Sequence, residues 1–392
     1  MKVPIWLPLL LGLLSAVGPI STDMYLPAFP AIETALGGRA GAAQITLAAW
    51  FVGLAIGQIT QGTLSDRYGR RLPLIVGTAT YTLATIGCAL APDLVTLSAM
   101  RFISALGGSA SMVLTRAIVR DLADGHAAAK LMSKLILVMG AAPILAPTLG
   151  GFVLAVAGWH AIFWVCAIYG ALCCLAVILL LPETLPETRR VKLGFGGLVV
   201  RYIGVLKDRS FITHALLGGF AMFGMFAFLA GSPPVFIEHF QLSPARYGLL
   251  FGVSAAGFVI SSQVSPLLLP RFGADRIIRW AVRVFLTATL VLAVVAFSGQ
   301  GGWFAIALPI AVAMATQGFT MPNAAVGALS RQAAQAGSAS ALMGTLQFGL
   351  AASSGLIVGL LSDGTARPMA LLMVFGALGA VVCDLFRPRR GR

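Results

Sequence analysis

The sequence predicts an all-helical membrane protein, with twelve transmembrane helices in two pseudo-symmetric six-helix bundles. Three observations predict it. Of the 392 residues, 58% are hydrophobic and 10% charged, and the mean hydropathy is +0.93; a soluble domain carries about a quarter charged residues. Apolar stretches recur along the whole chain, each near the ~20 residues that a helix needs to cross hydrocarbon. Finally, Leu64-Ser65-Asp66-Arg67-Tyr68-Gly69 recurs as Leu268-Leu269-Pro270-Arg271-Phe272-Gly273, 204 residues later and close to half the chain length. Duplicated six-helix halves around a midplane site are a recurrent transporter plan.

The first six spans are expected at 4–30, 42–64, 72–91, 94–119, 130–157 and 160–181. The second six are expected at 209–232, 245–269, 276–297, 302–328, 335–362 and 367–386. Connectors are short except 182–208, which is polar, basic and punctuated by Pro182 and Pro186. The chain therefore divides into an N-terminal bundle (1–181), a linker (182–208) and a C-terminal bundle (209–392). The spans leave no room for a soluble catalytic domain, so an enzyme is not expected. One lysine and a long apolar run open the chain like a signal peptide, but the run continues into Asp23, which argues for a retained first helix. The 45 glycines suit close helix packing in lipid, where small residues supply the contact.

The net charge of +14 does not point to nucleic acid. With odd-numbered loops outside, only Arg39, Arg246 and Arg367 lie outside and Arg101 lies within a span. The remaining 23 of the 27 Lys and Arg fall on one side. That is the positive-inside pattern, and it places both termini in the cytoplasm of an inner-membrane protein. The five cysteines lie in apolar segments without metal-ligand spacing, so they read as small core residues. No metal or cofactor is expected; the energy source is the proton gradient. The expected partners at this level are protons and membrane lipid around a monomer.

Asp23 is the most informative residue. A lone carboxylate in hydrocarbon costs a few kcal/mol or more, so it must be neutral, paired or facing water, and a proton switches each of those states. Arg101 in the fourth span sits at a matching depth and carries the opposite charge, so an Asp23–Arg101 pair is expected. Arginine does not lose its proton, which leaves Asp23 as the group that titrates.

The loop after the second span reads Gly62-Thr63-Leu64-Ser65-Asp66-Arg67-Tyr68-Gly69-Arg70-Arg71. Gly69 permits a tight turn. One of Arg67, Arg70 and Arg71 is expected to reach Asp121 at the end of the fourth span, and Asp66 to contact the second bundle near span eleven. In the second copy Pro270 replaces the aspartate, so that copy of the loop is expected to be degenerate. Span five carries Gly140, Pro143, Pro147, Gly150 and Gly151, a proline–glycine series that bends a helix and lets another approach closely. Tyr25, Gln58, Phe223, Phe226, Gln263, Gln317, Asn323 and Gln347 are candidates to line a substrate cavity; helix–helix bonding is the other reading of the amides.

The loop 62–71 resembles the signature loop of the major facilitator superfamily, and the resemblance covers the whole chain. It implies the major facilitator fold, a latch role for the loop, and a coupling role for the fourth-span arginine as in drug/proton antiporters. The series Gly140–Gly151 resembles the antiporter motif of that superfamily's exporters, with Ala146 in place of a glycine. Asp23-Met24-Tyr25-Leu26-Pro27-Ala28-Phe29-Pro30, Arg116-Ala117-Ile118-Val119-Arg120-Asp121, Trp159-His160-Ala161-Ile162-Phe163-Trp164, Pro182-Glu183-Thr184-Leu185-Pro186 and Ser232-Pro233 resemble the Bcr/CflA drug-resistance transporters. That resemblance implies a small drug-like molecule as partner and proton-coupled export of bicyclomycin- and chloramphenicol-like compounds. The alternatives are an exporter of a small metabolite such as cysteine, and a non-transporting membrane receptor or scaffold, in which the intramembrane acid has no evident purpose.

Overall fold

A computed structural model describes residues 6–39, 41–122, 125–190, 195–332 and 336–388. Helices account for the regular structure among these residues: α1 (Leu7–Asp23), α2 (Phe29–Ala35), α3 (Ala42–Tyr68), α4 (Arg71–Ala89), α5 (Leu94–Leu122), α6 (Gly125–Leu180), α7 (Phe195–Lys207), α8 (Arg209–Pro233), α9 (Pro244–Ser298), α10 (Gly302–Leu329), α11 (Ala336–Leu361) and α12 (Arg367–Phe386). Helices satisfy every backbone polar group within one segment, as lipid requires.

Two helices are too long for one crossing. At about 1.5 Å per residue, α6 and α9 would each run to roughly 80 Å, against a hydrocarbon core of about 30 Å. Each turns at a glycine with left-handed φ, 77° at Gly158 and 72° at Gly273. Counting each as two passes, joining α1 to α2 and leaving out the 13-residue α7, which is too short to cross, gives twelve crossings among the described residues. Gly69, at φ 90°, makes the same reversal between α3 and α4, so the sequence repeat is also a repeat of backbone shape.

The first span differs from its expected form. It is not one helix over 4–30. It stops at Asp23, makes a single tight turn at Leu26–Ala28 and restarts at Phe29, with Pro27 and Pro30 at the restarts. The seventh span also breaks late: α8 ends at Pro233 and a wide turn runs over Pro234–His239. The stretch 182–208 is not wholly irregular. It contains α7, whose buried Val205 packs with Phe211 and Ala215 of α8, Ala328 of α10 and Leu342 and Met343 of α11.

The two halves meet along α3 against α11 and α6 against α9. We call the end carrying Gly69, Gly273 and Arg387 the basic end. At the opposite end the halves touch backbone to backbone. A side chain at Gly151 would strike the Pro244 carbonyl, one at Gly248 the Pro147 carbonyl, and one at Gly252 the Ile144 carbonyl. Gly359 likewise abuts Gly41, and farther along Thr345 Oγ1 donates to the Ala55 carbonyl at 2.8 Å. These contacts form a seam that closes the opposite end.

The seam yields an expectation. Gly248→Val should push α9 off α6, a steric cost of about 1–3 kcal/mol. A cysteine at Ser232, which is fully buried here, should then react faster with an impermeant thiol reagent on a background lacking the native cysteines. An unchanged rate would mean that the seam is not where the halves part.

Candidate functional site

Asp23 ends α1 and is 5% exposed. It makes no hydrogen bond or ion pair with any described residue. The expected partner is elsewhere. The Arg101 guanidinium lies between the faces of Tyr25 and Trp50, 4.6 and 4.5 Å from their ring centroids, with Phe163 at 6.0 Å. Its Nη1 donates to the Ser21 carbonyl at 3.0 Å, while Nε and Nη2 have no partner. The reason is helical geometry. Ser21 and Tyr25 are four residues apart and share a face of the first span, whereas Asp23 is two residues from each and points the other way. The matched depth was right and the direction around the helix was not.

Tyr25 donates to or accepts from Thr46, and Ser21 Oγ pairs with Tyr81 Oη at 2.5 Å. Tyr81 also packs edge-on to Trp50. Trp50 Nε1 is buried without an acceptor. The Arg101 chamber therefore holds three unused donors: Nε, Nη2 and the indole N–H.

Asp23 also lies near Tyr247 of α9. Tyr247 is fully buried, and its hydroxyl pairs with Ser232 Oγ of α8 at 2.8 Å. Gly150 stands against the Met24 carbonyl, and Gly151 against Pro244. The acid thus sits where α1, α6 and α9 converge at the seam. Pro147 and Gly151 are buried there and Pro143 is half-buried, while the surroundings of Gly140 lie outside the described residues. Sequence reasoning missed Tyr247 and Trp50. A tyrosine near a span end reads as an interfacial anchor, and no local pattern marks it otherwise.

The loop after α3 is built around Arg70, whose side chain is 4% exposed. It pairs with Asp66 at 2.6 Å and Asp121 at 2.7 Å, and donates to Ser65 Oγ at 2.8 Å. Asp66 makes no hydrogen bond or ion pair with the second bundle among the described residues, and residues 333–335, where span eleven is expected to begin, lie outside them. Arg70 folds back one turn across Gly69 and takes Asp66. Glu183 closes the other side, accepting from the backbone N–H groups of Arg70 (2.8 Å) and Arg71 (3.2 Å). Arg71 Nη2 donates to the Ile178 carbonyl, Gly62 faces Val113 and Arg67 is exposed over Tyr68. Burial alone would raise the Glu183 carboxyl, but N–H donors from Leu185, Arg70, Arg71 and Thr184 outweigh it and hold the group below the ordinary glutamate value.

Two expectations follow from this loop. Asp121→Ala should cost far more thermal stability than Asp66→Ala in detergent. It strips a mostly buried partner from buried Arg70, a change of about 3–5 kcal/mol, whereas Asp66 is half exposed. Equal losses would contradict that order. Because the Glu183 value is lowered by folding, its contact stabilises the protein above the ordinary glutamate range. That stability is lost as pH falls through the lowered value, and Glu183→Gln should flatten this acid limb.

The cavity candidates scatter. Phe226 meets Phe51 across the halves at 4.1 Å, and Gln58 packs over Gly344 of α11. Phe223 packs on Phe375, and Gln347 lies over Gly218. Asn323 Nδ2 donates to Ser265 Oγ at 2.8 Å and the Phe319 carbonyl at 2.7 Å, a bond between α10 and α9. Gln263 is exposed on a helical face shared with exposed Ile260 and Leu267, not within the core. Gln317 is 1% exposed, and neither end of its amide has a partner. No group of three or more metal-ligating side chains occurs among the described residues.

A family model described as Major Facilitator Superfamily matches residues 11–356. The chain is 37% identical over 382 residues to the uncharacterized MFS-type transporter YdgK of Bacillus subtilis (strain 168), covering 96% of this chain and 94% of that one. It is 28% identical over 365 residues to a bicyclomycin resistance protein homolog of Haemophilus influenzae, covering 93% and 92%. Among solved structures it resembles the partially occluded inward-open xylose transporter XylE from E. coli, with TM-score 0.75, 14% identity and 97% of each chain covered. At that identity the likeness is one of fold.

Proposed function

Because the chain belongs to the Major Facilitator Superfamily, we propose that it is a proton-coupled exporter of bicyclomycin- or chloramphenicol-like small molecules, with Asp23 carrying the proton. The observation that carries this reading is Asp23 itself, a buried acid without a partner among the described residues, beside the seam between the halves. The similarity to the bicyclomycin resistance protein homolog supports the substrate class. The charge asymmetry supports placing the basic end and both termini in the cytoplasm of the inner membrane.

The coupling follows from the cost of burying charge. Closing the seam over an ionised carboxylate without a partner costs several kcal/mol, and closing it over the protonated acid costs far less. Substrate entering from the basic end displaces the proton. Ionised Asp23 then favours the open seam, substrate leaves outward, a proton binds, and the seam closes again. Arg101 anchors the Ser21 end of the first span and offers its unused donors to polar atoms of the substrate. Gln317, with both amide ends unsatisfied, is the strongest of the expected cavity amides.

The test is a resistance screen with a compound panel in a host stripped of its own pumps, with Asp23→Asn as control. Tolerance to drug-like compounds that disappears in the control supports the proposal. Extrusion of small metabolites such as cysteine alone would replace the substrate class. No change for any compound would sink the reading.

A further inference from the structure

The two halves treat the same turn differently. In the first half the space beside Gly69 is filled by the Glu183 carboxylate, which accepts from the N–H groups that open α4. In the second half the matching turn is Gly273, and nothing lies within 4 Å of where its side chain would stand. The residue 204 positions after Glu183 is Arg387. The acid that seals the first turn is thus a base in the second, and a cavity of about 680 Å³ opens there, lined by Gly273, Arg276, Arg279, Arg331 and Arg387 among others.

The charges around this cavity are unbalanced. Arg387 is committed: it pairs with Asp384 at 2.8 Å and with Asp275, which it also reaches at the backbone carbonyl at 3.1 Å. Arg276, Arg279 and Arg331 have no hydrogen bond or ion pair with any described residue, and the buried Arg279 Nε is unsatisfied. Among the described residues lining the cavity Asp275 is the one acid, and Arg387 holds it. Three arginines therefore line a cavity at the start of a helix, with no uncommitted carboxylate among its described lining residues. Guanidinium forks and helix starts both favour phosphate. Exposed Phe272 and Val326 at the rim, with exposed Trp280 beside Arg279, supply an apolar border.

We propose that this cavity binds a phosphate-bearing anion, which takes the place that Glu183 fills in the first half and is held by Arg276, Arg279 and Arg331. The phosphate comes either from the headgroup of an anionic phospholipid or from a soluble phosphate compound. This site is separate from the seam at Asp23 and does not depend on the transport reading.

The test uses the full-length purified protein and the variant Arg276→Gln/Arg331→Gln, which alters exposed side chains and leaves the Arg387 pairs intact. A second variant, Lys207→Gln/Arg201→Gln, removes as much charge at the same end but outside the cavity. In the lipid arm, retention of phosphatidylglycerol over phosphatidylcholine is read by native mass spectrometry. In the soluble arm, thermal stabilisation by inorganic phosphate is read in neutral detergent. Loss of two charge-assisted contacts should weaken binding about tenfold or more. A drop in lipid retention confined to the cavity variant supports the lipid source. A lost phosphate effect without lipid preference supports the soluble source. If both arms match wild type, or if the control variant loses as much as the cavity variant, the proposal is overturned.

Discussion

Asp23→Asn is expected to leave the protein folded and inserted, with a melting temperature equal to or above wild type, and to cut proton-driven efflux by about a hundredfold or more. The stability half follows from the environment. Asp23 is buried with no hydrogen bond or ion pair among the described residues, and an amide of the same shape removes only the option of charge. The transport half follows from the proposed role of Asp23 in carrying the proton; removing such a group typically costs 10²–10⁴-fold. The measurements are thermal unfolding in detergent and initial efflux rates in vesicles at matched protein density. An asparagine variant that pumps uphill at the wild-type rate would remove Asp23 from the mechanism.

Arg101→Ala is the second large effect, and it differs in kind. The guanidinium fills the gap between Tyr25 and Trp50 and ties α5 to the Ser21 carbonyl of α1. Truncation leaves a void between two rings and removes a desolvated cation–π contact worth about 2 kcal/mol or more. Both stability and transport should fall, whereas Asp23→Asn affects transport alone. Arg101→Lys keeps the charge but lacks the planar fork, so it should fold and transport roughly tenfold more slowly. Because the two residues do not touch, their effects on stability should add to within about 0.5 kcal/mol. A large coupling energy in the double variant would restore the direct pair.

The passes were legible because apolar length and charge asymmetry are properties of composition. Gly69 and Gly273 betrayed the half-length repeat, and the backbone repeats with them. Depth along a span was legible too, since it only requires counting. Direction around a helix was harder: the break after Asp23 and the shared face of Ser21 and Tyr25 decided that Arg101 would miss the acid. The Asp66–Arg70 pair was hidden for a local reason, the fold-back of Arg70 across Gly69. Tyr247 could not be found at all, because its meaning depends on α6 and α9 meeting beside Asp23. The helix α7 inside the linker was likewise hidden by the prolines and charges before it, although Val205 is fully buried.

Under the proposed function, substrate and proton compete through Asp23. The most direct test is proton release on adding a transported compound to purified protein in a lightly buffered solution. The expected result is release of protons by wild type and none by Asp23→Asn, with the compound still bound by the variant. Equal release from both proteins would contradict the account.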